Sequence, residues 1–125
     1  MILGIGVDTV DIERIQKIQG ESAFFRRVFS EAERAAAPEG KVRAEYYAAR
    51  FAAKEAVFKA VAHCLPEKTF DLRDVETLKY EDGCPYVVMD GKLAPVFETA
   101  GVKKLHISIT TEKGCATAFV IAEGG

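Results

Sequence analysis

The segment Arg50-Phe51-Ala52-Ala53-Lys54-Glu55-Ala56-Val57-Phe58-Lys59-Ala60 organises the rest of this sequence. It is rich in alanine and larger apolar residues, which predicts a closely packed helix on which a charge is costly unless it is exposed or used. Helical spacing places one set of side chains on the same side: Phe51, Glu55, Phe58, Lys59 and Ala62. Glu55 and Lys59 thus lie one turn apart beside an apolar face, and taken alone they fit a surface ion pair.

The N-terminal segment, residues 2–15, gives Glu55 and Lys59 a second interpretation. Its start predicts a strand with two unlike faces, one carrying Leu3, Ile5 and Val7 and the other Gly4, Gly6 and Asp8. Because glycines occupy alternate positions, one face of the strand lacks side chains there, and backbone, ligand or metal can approach Asp8 at the end of the strand. A cap or turn role also fits an aspartate there, with Thr9 or Asp11 capping the helix that follows.

Composition limits the classes of protein. A chain of 125 residues with 49% hydrophobic content supports one domain over residues 1–125 with a real core. The formal charge of -2 argues against bulk nucleic-acid binding. No apolar run approaches the roughly 20 residues of a membrane span, and the N-terminus lacks the basic region of a secretory signal. We therefore expect a cytoplasmic protein, with the widely spaced cysteines reduced and structural: Cys64, Cys84 and Cys115.

Four helices are predicted. Residues 11–19 form an amphipathic helix that Gly20 stops, and Ser30 with Glu33 has the spacing of a capping box. A long helix runs over residues 42–63 until Cys64-Leu65-Pro66 breaks it, and a short one covers residues 93–99. Between the first two helices, four apolar residues surround Arg26 and Arg27: Phe24, Phe25, Val28 and Phe29. We expect the aromatic residues among them to be exposed or half-exposed.

Strands are predicted over residues 71–81, 86–89, 105–110 and 116–122, in addition to the N-terminal strand. Helices and strands mix without regular βαβ alternation. The fold class is therefore α+β, with a mostly antiparallel sheet packed against one long helix and shorter helices.

Three blocks resemble the holo-acyl-carrier-protein synthase family, the small bacterial phosphopantetheinyl transferases. They are GIGVDTVDIERI at 4–15, RFAAKEAVFKA at 50–60, and HISITTE at 106–112 followed by ATAFVIAE at 116–123. The resemblance runs in order over nearly the whole chain. It implies the phosphopantetheinyl transferase fold and a homotrimer with active sites between subunits.

The resemblance also implies an activity: transfer of 4′-phosphopantetheine from coenzyme A to a serine of apo acyl carrier protein, releasing adenosine 3′,5′-bisphosphate. Holo acyl carrier protein supports fatty acid biosynthesis. Phosphoryl transfer requires positioned groups and neutralised phosphate charge. Mg²⁺ suits this task because one or two carboxylates, water and substrate phosphates complete its coordination.

Site residues are carried over from the family position by position. Asp8 and Glu55 match the Mg²⁺ ligands, and Glu55 is also a candidate base for the acceptor serine. Lys59 matches the lysine near the pyrophosphate, and His106 matches a histidine that contacts phosphate or coenzyme A. Arg50 fits a phosphate contact and a structural ion pair equally well.

Four further candidates are less direct. Glu112 matches an acidic position that some family members use in catalysis. Arg14, Arg26 and Arg27 form a basic surface, with Lys17 nearby, that suits an acidic carrier protein. A solvated helix face also explains these arginines, because Asp11, Glu13 and Glu21 balance their charge.

The chain departs from the family at two places. Many members follow the central helix with a Gly-x-Gly turn whose amides approach coenzyme A phosphates, whereas this chain has Ala62-His63-Cys64-Leu65-Pro66. Many also place His or Asp where this chain has Thr111. Two other functions stay open: a coenzyme A or nucleotide-binding trimer without turnover, and a Mg²⁺-dependent enzyme acting on another pyrophosphate-containing nucleotide.

Overall fold

A computed structural model describes residues 1–18 and 22–125. The helices in chain order are α1 (Ile12–Gln16), α2 (Ala23–Val28), α3 (Glu31–Ala36), α4 (Val42–Val61) and α5 (Ala94–Ala100). The strands are β1 (Ile2–Asp11), β2 (Thr77–Lys79), β3 (Pro85–Val87), β4 (Val102–Glu112) and β5 (Cys115–Gly124). Single 3₁₀ turns cover Ala62–Cys64 and Leu72–Asp74.

The main sheet has the order β1-β5-β4, and both of its pairings are antiparallel. Asp8 on β1 and Ile109 on β4 both stand opposite Ala118 of the central strand. β2 and β3 form a separate antiparallel pair. The predicted α+β class with antiparallel pairing is confirmed.

The long helix α4 packs on one face of this sheet and contacts all three strands. The helix approaches the sheet closely because the residues in contact are small. Ala56 and Ala60 of α4 are among them, and both are fully buried. A Cβ atom at Gly4 would collide with the carbonyl oxygen of Ala60, and one at Gly6 with that of Ala56. The predicted glycine face of β1 is therefore the face on which α4 rests.

The opposite face of the sheet is open. Several of its apolar side chains remain exposed: Ile5 at 58%, Val7 at 50% and Phe119 at 42%. Thr9 and Thr117 share a hydrogen bond of 3.0 Å on the same face. Contiguous exposed apolar side chains of this kind are typical of an interaction surface.

An aromatic cluster fills the space between α2 and the first half of α4. Phe25 and Phe29 each pack with their ring centroids 4.7 Å from the ring of Tyr47. The expectation that the aromatic residues around Arg26 and Arg27 are exposed or half-exposed is wrong for both phenylalanines, which are buried. Only Phe24 of the α2 aromatics is half-buried, while Arg26 and Arg27 project from the outer side.

The largest error in the predicted elements lies at residues 71–81, where a long strand was expected. A 3₁₀ turn occupies Leu72–Asp74, and β2 is only Thr77–Lys79. The reason is that the ammonium of Lys54 binds the carbonyl oxygens of Leu72 and Val75, at 2.9 and 2.6 Å. Those carbonyls are consequently used by a side chain instead of a strand ladder.

Smaller differences concern element ends. β1 continues past Asp8 to Asp11, whose side chain caps α1 by accepting a hydrogen bond from the Glu13 N–H at 3.0 Å. The second strand of the hairpin begins at Pro85 and ends at Val87. The predicted stop at Gly20 lies outside the described residues.

The predicted capping box is confirmed. The capping box of α3 is present, with Ser30 and Glu33 each accepting from the other's backbone N–H. All three cysteines are free. Among residues 1–18 and 22–125, no helix combines the length and the apolar character needed to cross a bilayer.

Candidate active site

The predicted site residues Asp8 and Lys59 meet where α4 lies against β1. The Lys59 ammonium donates to the Asp8 carboxylate at 3.2 Å and to the carbonyl oxygen of Val7 at 3.0 Å. The Asp8 side chain is 20% exposed and that of Lys59 is 51% exposed. The ion pair therefore joins the helix to the strand, so the sequence-based alternative of an intrahelical surface pair does not describe Lys59.

Glu55 lies one helical turn before Lys59 and is half-buried. Burial raises the pKa of the Glu55 carboxyl above its usual value, the nearby Asp8 carboxylate raises it further, and Lys59 lowers it. Asp8 and Glu55 are thus close enough to repel each other. Two repelling carboxylates at a partly open surface are the oxygen donors that a divalent cation prefers.

The donor set at this place is small. Among the described residues, no group of three or more His, Cys, Asp or Glu side chains could hold a metal ion. A cation bound by Asp8 and Glu55 would take its other ligands from water and substrate. This coordination fits Mg²⁺, which retains several waters and needs few protein ligands.

Lys54 precedes Glu55 in the chain but serves the fold. It is fully buried, and its ammonium lies 2.8 Å from a carboxylate oxygen of Glu33. Burial lowers the pKa of Lys54, and the Glu33 carboxylate acts in the opposite direction. The same Glu33 oxygen accepts the Ser30 N–H of the α3 capping box. Lys54 therefore fixes α4 to α3 and to the segment after Leu72.

Arg50 lies in the first half of α4, away from Asp8. Its guanidinium stacks 3.8 Å from the centre of the Tyr46 ring, and in the part of the chain that is described it has no ion-pair partner. Arg50 lines a cavity of about 350 Å³ with Lys79 from β2 and with Ile109 and Thr111 from β4. Of the two sequence-based alternatives, the structural ion pair does not occur among the described residues; Arg50 instead stacks on Tyr46 beside the cavity.

His106 and Glu112 lie on β4, away from the Asp8 carboxylate. His106 is on the open face of the sheet, as its predicted alternation with Ser108 and Thr110 requires, and its Nε2 lies 2.8 Å from Oε1 of Glu123. Glu112 is exposed at the last position of β4. Within one chain, neither residue reaches the carboxylate pair.

The candidate residues consequently form two separate groups. β1 and β4 are the outer strands of the sheet, with β5 between them. Asp8, Glu55 and Lys59 form the β1-edge group. Arg50 and its cavity form the β4-edge group. His106 belongs to neither group, because it faces the other side of the sheet. One copy of the chain does not enclose a ligand between the two groups.

Comparison with known proteins identifies the family. The model of the 4′-phosphopantetheinyl transferase superfamily matches residues 4–120. The chain belongs to this superfamily. The chain is 42% identical to the holo-[acyl-carrier-protein] synthase of Anaeromyxobacter dehalogenans strain 2CP-1, over 99% of this chain and 98% of that protein. The family resemblance found in the sequence is confirmed.

Solved structures of the superfamily share the fold. The holo-[acyl-carrier-protein] synthase of Neisseria meningitidis superposes with a TM-score of 0.83 at 30% identity, covering 98% of this chain and 99% of that one. The enzyme of Bacillus anthracis, solved in complex with CoA (3′,5′-ADP), gives a TM-score of 0.76 at 32% identity over 100% and 99% of the two chains.

The segment that departs from the superfamily's Gly-x-Gly pattern forms the 3₁₀ turn Ala62–Cys64. The His63 ring Nε2 lies 3.0 Å from the carbonyl oxygen of Leu3 at the start of β1. The Cys64 thiol lies 3.4 Å from the same ring nitrogen. The His63 side chain thus lies against the first residues of β1.

Sequence reasoning missed two partners, one of the structural residue Lys54 and one of the candidate site residue His106. Glu33 was recognised as a capping residue, but its pairing with Lys54 joins positions 21 residues apart in sequence. Glu123 of β5 reaches His106 of β4 diagonally, since the strand register places His106 opposite Ile121 and Glu123 opposite Lys104. The one available clue was the cost of an unpaired lysine in an alanine-rich helix, which predicts a partner for Lys54 without identifying it.

Proposed function

We infer that this chain transfers the 4′-phosphopantetheine group from coenzyme A to a serine of apo acyl carrier protein. The products are holo acyl carrier protein and adenosine 3′,5′-bisphosphate. The observation that carries this conclusion is the meeting of Asp8, Glu55 and Lys59 between β1 and α4. Two carboxylates and one ammonium there supply what phosphoryl transfer requires, namely metal ligands and a cation for phosphate oxygens.

Mg²⁺ is the proposed cofactor, with Asp8 and Glu55 as its protein ligands. When bound, it would neutralise charge on the pyrophosphate oxygens of coenzyme A. The repulsion that raises the Glu55 pKa supports this assignment, because a cation between the two carboxylates would relieve it.

Glu55 is also the proposed base for the acceptor serine, directly or through a water. The serine oxygen forms a bond to the β-phosphorus of coenzyme A, and its proton passes to the base. The bond from that phosphorus to the bridging oxygen breaks, and its electron pair leaves with adenosine 3′,5′-bisphosphate. Glu55 is half-buried and lies beside Asp8, so the base would stand next to the proposed metal. Glu112 is a weaker candidate, since it lies at the exposed end of β4.

Coenzyme A is proposed to contact three basic residues. Lys59, half-exposed beside Asp8, would donate to the pyrophosphate once substrate is bound. Arg50 projects into the cavity of about 350 Å³, large enough for part of a nucleotide. His106 would contact a phosphate from the open face of the sheet.

The assembly is proposed to be a homotrimer with active sites between subunits. The separation of the β1-edge and β4-edge groups supports this proposal, because neighbouring copies could present one group to the other. The exposed side chains of Ile5, Val7 and Phe119 supply an apolar surface for such packing. Sedimentation that finds an active monomer would refute the trimer.

The acceptor is proposed to dock on the exposed side chains of Arg14 on α1 and of Arg26 and Arg27 on α2. Acyl carrier proteins are acidic, and arginine pairs with carboxylates through two parallel hydrogen bonds. We place this reaction in the cytoplasm and in the supply of holo carrier for fatty acid biosynthesis. The free cysteines fit a reducing compartment.

One assay tests this function. The purified chain is incubated with apo acyl carrier protein, coenzyme A and Mg²⁺, and the carrier is weighed by mass spectrometry. Addition of the phosphopantetheine mass at the carrier serine is expected. Binding of coenzyme A without that mass would support the alternative of a binding protein without turnover. Hydrolysis of a different pyrophosphate nucleotide, with the carrier unmodified, would support the alternative enzyme.

A further inference from the structure

We propose that Glu123 is a positioning residue, which fixes the ring of His106 so that its outer nitrogen meets a phosphate of coenzyme A. The proposal rests on the function proposed above. It adds a specific role for a side chain of β5 that neither contacts the carboxylate pair nor lies in the cavity.

The geometry of the pair supports it. Nε2 of His106 and Oε1 of Glu123 are 2.8 Å apart, a short distance for a hydrogen bond between side chains. Both side chains are partly exposed on the open face of the sheet, at 45% and 43%. A pair this exposed contributes little to folding. A role outside stability is therefore the better explanation for holding two side chains in one arrangement.

The Glu123 carboxylate determines which nitrogen of the His106 ring donates a hydrogen to it. The hydrogen bond to His106 lowers the pKa of the Glu123 carboxyl, so this group is ionised at neutral pH and can only accept. Nε2 must then be the donor, and Nδ1 is the nitrogen left for another partner. A phosphate oxygen also only accepts, so contact with phosphate requires the doubly protonated ring with a hydrogen on Nδ1.

The charges around Glu123 keep it an acceptor, and its hydrogen bond to His106 has the largest effect on its pKa. The other charges that act on Glu123 are Lys104 of β4 and the amino group of Met1, which also lower its pKa. These two cations keep the carboxylate ionised and leave His106 as its hydrogen-bonding partner.

The pair would act on a ligand held by another copy. His106 faces away from Asp8 and Glu55 of its own chain, so a phosphate at that carboxylate pair could reach the ring only from a neighbouring subunit. Removing Glu123 should then weaken coenzyme A binding without changing the reacting groups.

The test compares Glu123→Gln with a control, Glu98→Gln, which removes an exposed charge on α5. We expect Glu123→Gln to raise the KM for coenzyme A about tenfold, as loss of one charge-assisted hydrogen bond predicts, with kcat changed much less. Glu98→Gln should behave as the unmodified chain.

Two further measurements separate positioning from a merely structural role. Nitrogen-15 NMR of the histidine rings should place hydrogen on Nε2 of His106, and Glu123→Ala should release it, with His63 as an internal reference. In a His106→Ala background, Glu123→Gln should cause no additional rise in KM. An equal rise in that background, or an unchanged KM in the single variant, would overturn the proposal. If the unmodified chain transfers no phosphopantetheine, the proposed function fails instead.

Discussion

The ammonium of Lys59 lies 3.2 Å from the Asp8 carboxylate, so the helix and the strand of the candidate site are joined by one ion pair. Lys59 also binds the carbonyl oxygen of Val7, which fixes its position along β1. It is a cation placed beside two carboxylates that repel each other, Asp8 and Glu55. Without a metal, Lys59 therefore provides the local compensation for their charge.

Replacing Lys59 by alanine should slow phosphopantetheine transfer by about a hundredfold or more, because an oriented donor to a transition-state phosphate has an effect of that size. Steady-state kinetics with coenzyme A and apo carrier protein would measure it. Lys92→Ala, at an exposed position far from β1, is the control. Unchanged kinetics would leave Lys59 with only the structural contact to Asp8.

The two carboxylates of Asp8 and Glu55 should affect the stability of the substrate-free protein. The raised pKa means that folded Glu55 holds its proton more tightly than the unfolded chain does, so its ionisation opposes folding as the pH rises through the usual glutamate value of 4.5. Glu55→Gln should therefore raise the Tm of the metal-free protein at pH 7 and leave it nearly unchanged at pH 4. Each kcal/mol gained would raise the Tm by about 4 °C.

Glu55→Gln also tests whether Glu55 binds Mg²⁺. Mg²⁺ should raise the Tm of the unmodified chain, because a ligand that binds the folded state stabilises it, and this rise should be lost in Glu55→Gln and Asp8→Ala. Both variants should also lose transfer activity while remaining folded. Near-normal turnover in either variant would contradict the assignment of Asp8 and Glu55 as ligands.

The glycine face of β1 gives a prediction about packing. Gly6→Ala should destabilise the fold by about 1–3 kcal/mol or more, because its Cβ would meet the backbone carbonyl of Ala56 and push Asp8 away from α4. Gly91→Ala is the matched control, since its Cβ would lie 3.6 Å from a methyl group of Val88. Chemical denaturation of both variants measures the difference. Equal stability of Gly6→Ala and Gly91→Ala would show that α4 can shift on β1 without cost.

These residues also show why part of the site could be predicted from sequence. Glycine alternating with Asp8, and Glu55 one turn before Lys59, are local patterns whose periods fix which side chains share a face. The resemblance in the same blocks then supplied their chemistry. β1, α4 and the β4–β5 hairpin were predicted for the same reason, since each is a long element with a regular pattern.

Contacts between distant segments were not predictable in this way. Residues 71–81 have a strand-like composition, yet Lys54 binds the carbonyl oxygens of Leu72 and Val75 and prevents a long ladder. The predicted end of β1 at Asp8 was also wrong. The strand continues to Asp11 because its backbone remains paired with β5 as far as Cys115.

The buried ion pair of Lys54 and Glu33 should be among the most sensitive positions in the fold. Lys54→Met would leave the Glu33 carboxylate buried without its cation, which costs about 3–5 kcal/mol in comparable pairs. Glu33→Gln in the same background should recover part of that loss, because the buried charge is removed. Urea denaturation of the unmodified chain and of the two variants would measure both steps. A Lys54→Met protein as stable as the unmodified chain would mean that Glu33 finds another way to be neutralised.

The last prediction concerns the acceptor. Arg14 projects from α1, which begins four residues after Asp8, so the docking helix starts about 13 Å of strand beyond Asp8. The neighbouring Glu13 and Lys17 pair with each other at 3.4 Å, which leaves the Arg14 charge available to a partner. Arg14→Glu, alone or with Arg26→Glu, should raise the KM for the carrier protein, and the penalty should deepen at low salt.

The affinity for coenzyme A is the control for this experiment. Because α1 lies apart from the Arg50 cavity, the Arg14 variants should bind coenzyme A as the unmodified chain does. Arg73→Glu is the control variant: it reverses an exposed arginine, paired with Asp71, on the turn Leu72–Asp74 and should leave the KM for carrier unchanged. Loss of coenzyme A affinity equal to the loss for carrier would place Arg14 in the nucleotide site. An unchanged KM for both substrates would mean that Arg14 belongs to a solvated helix face and that the carrier docks elsewhere.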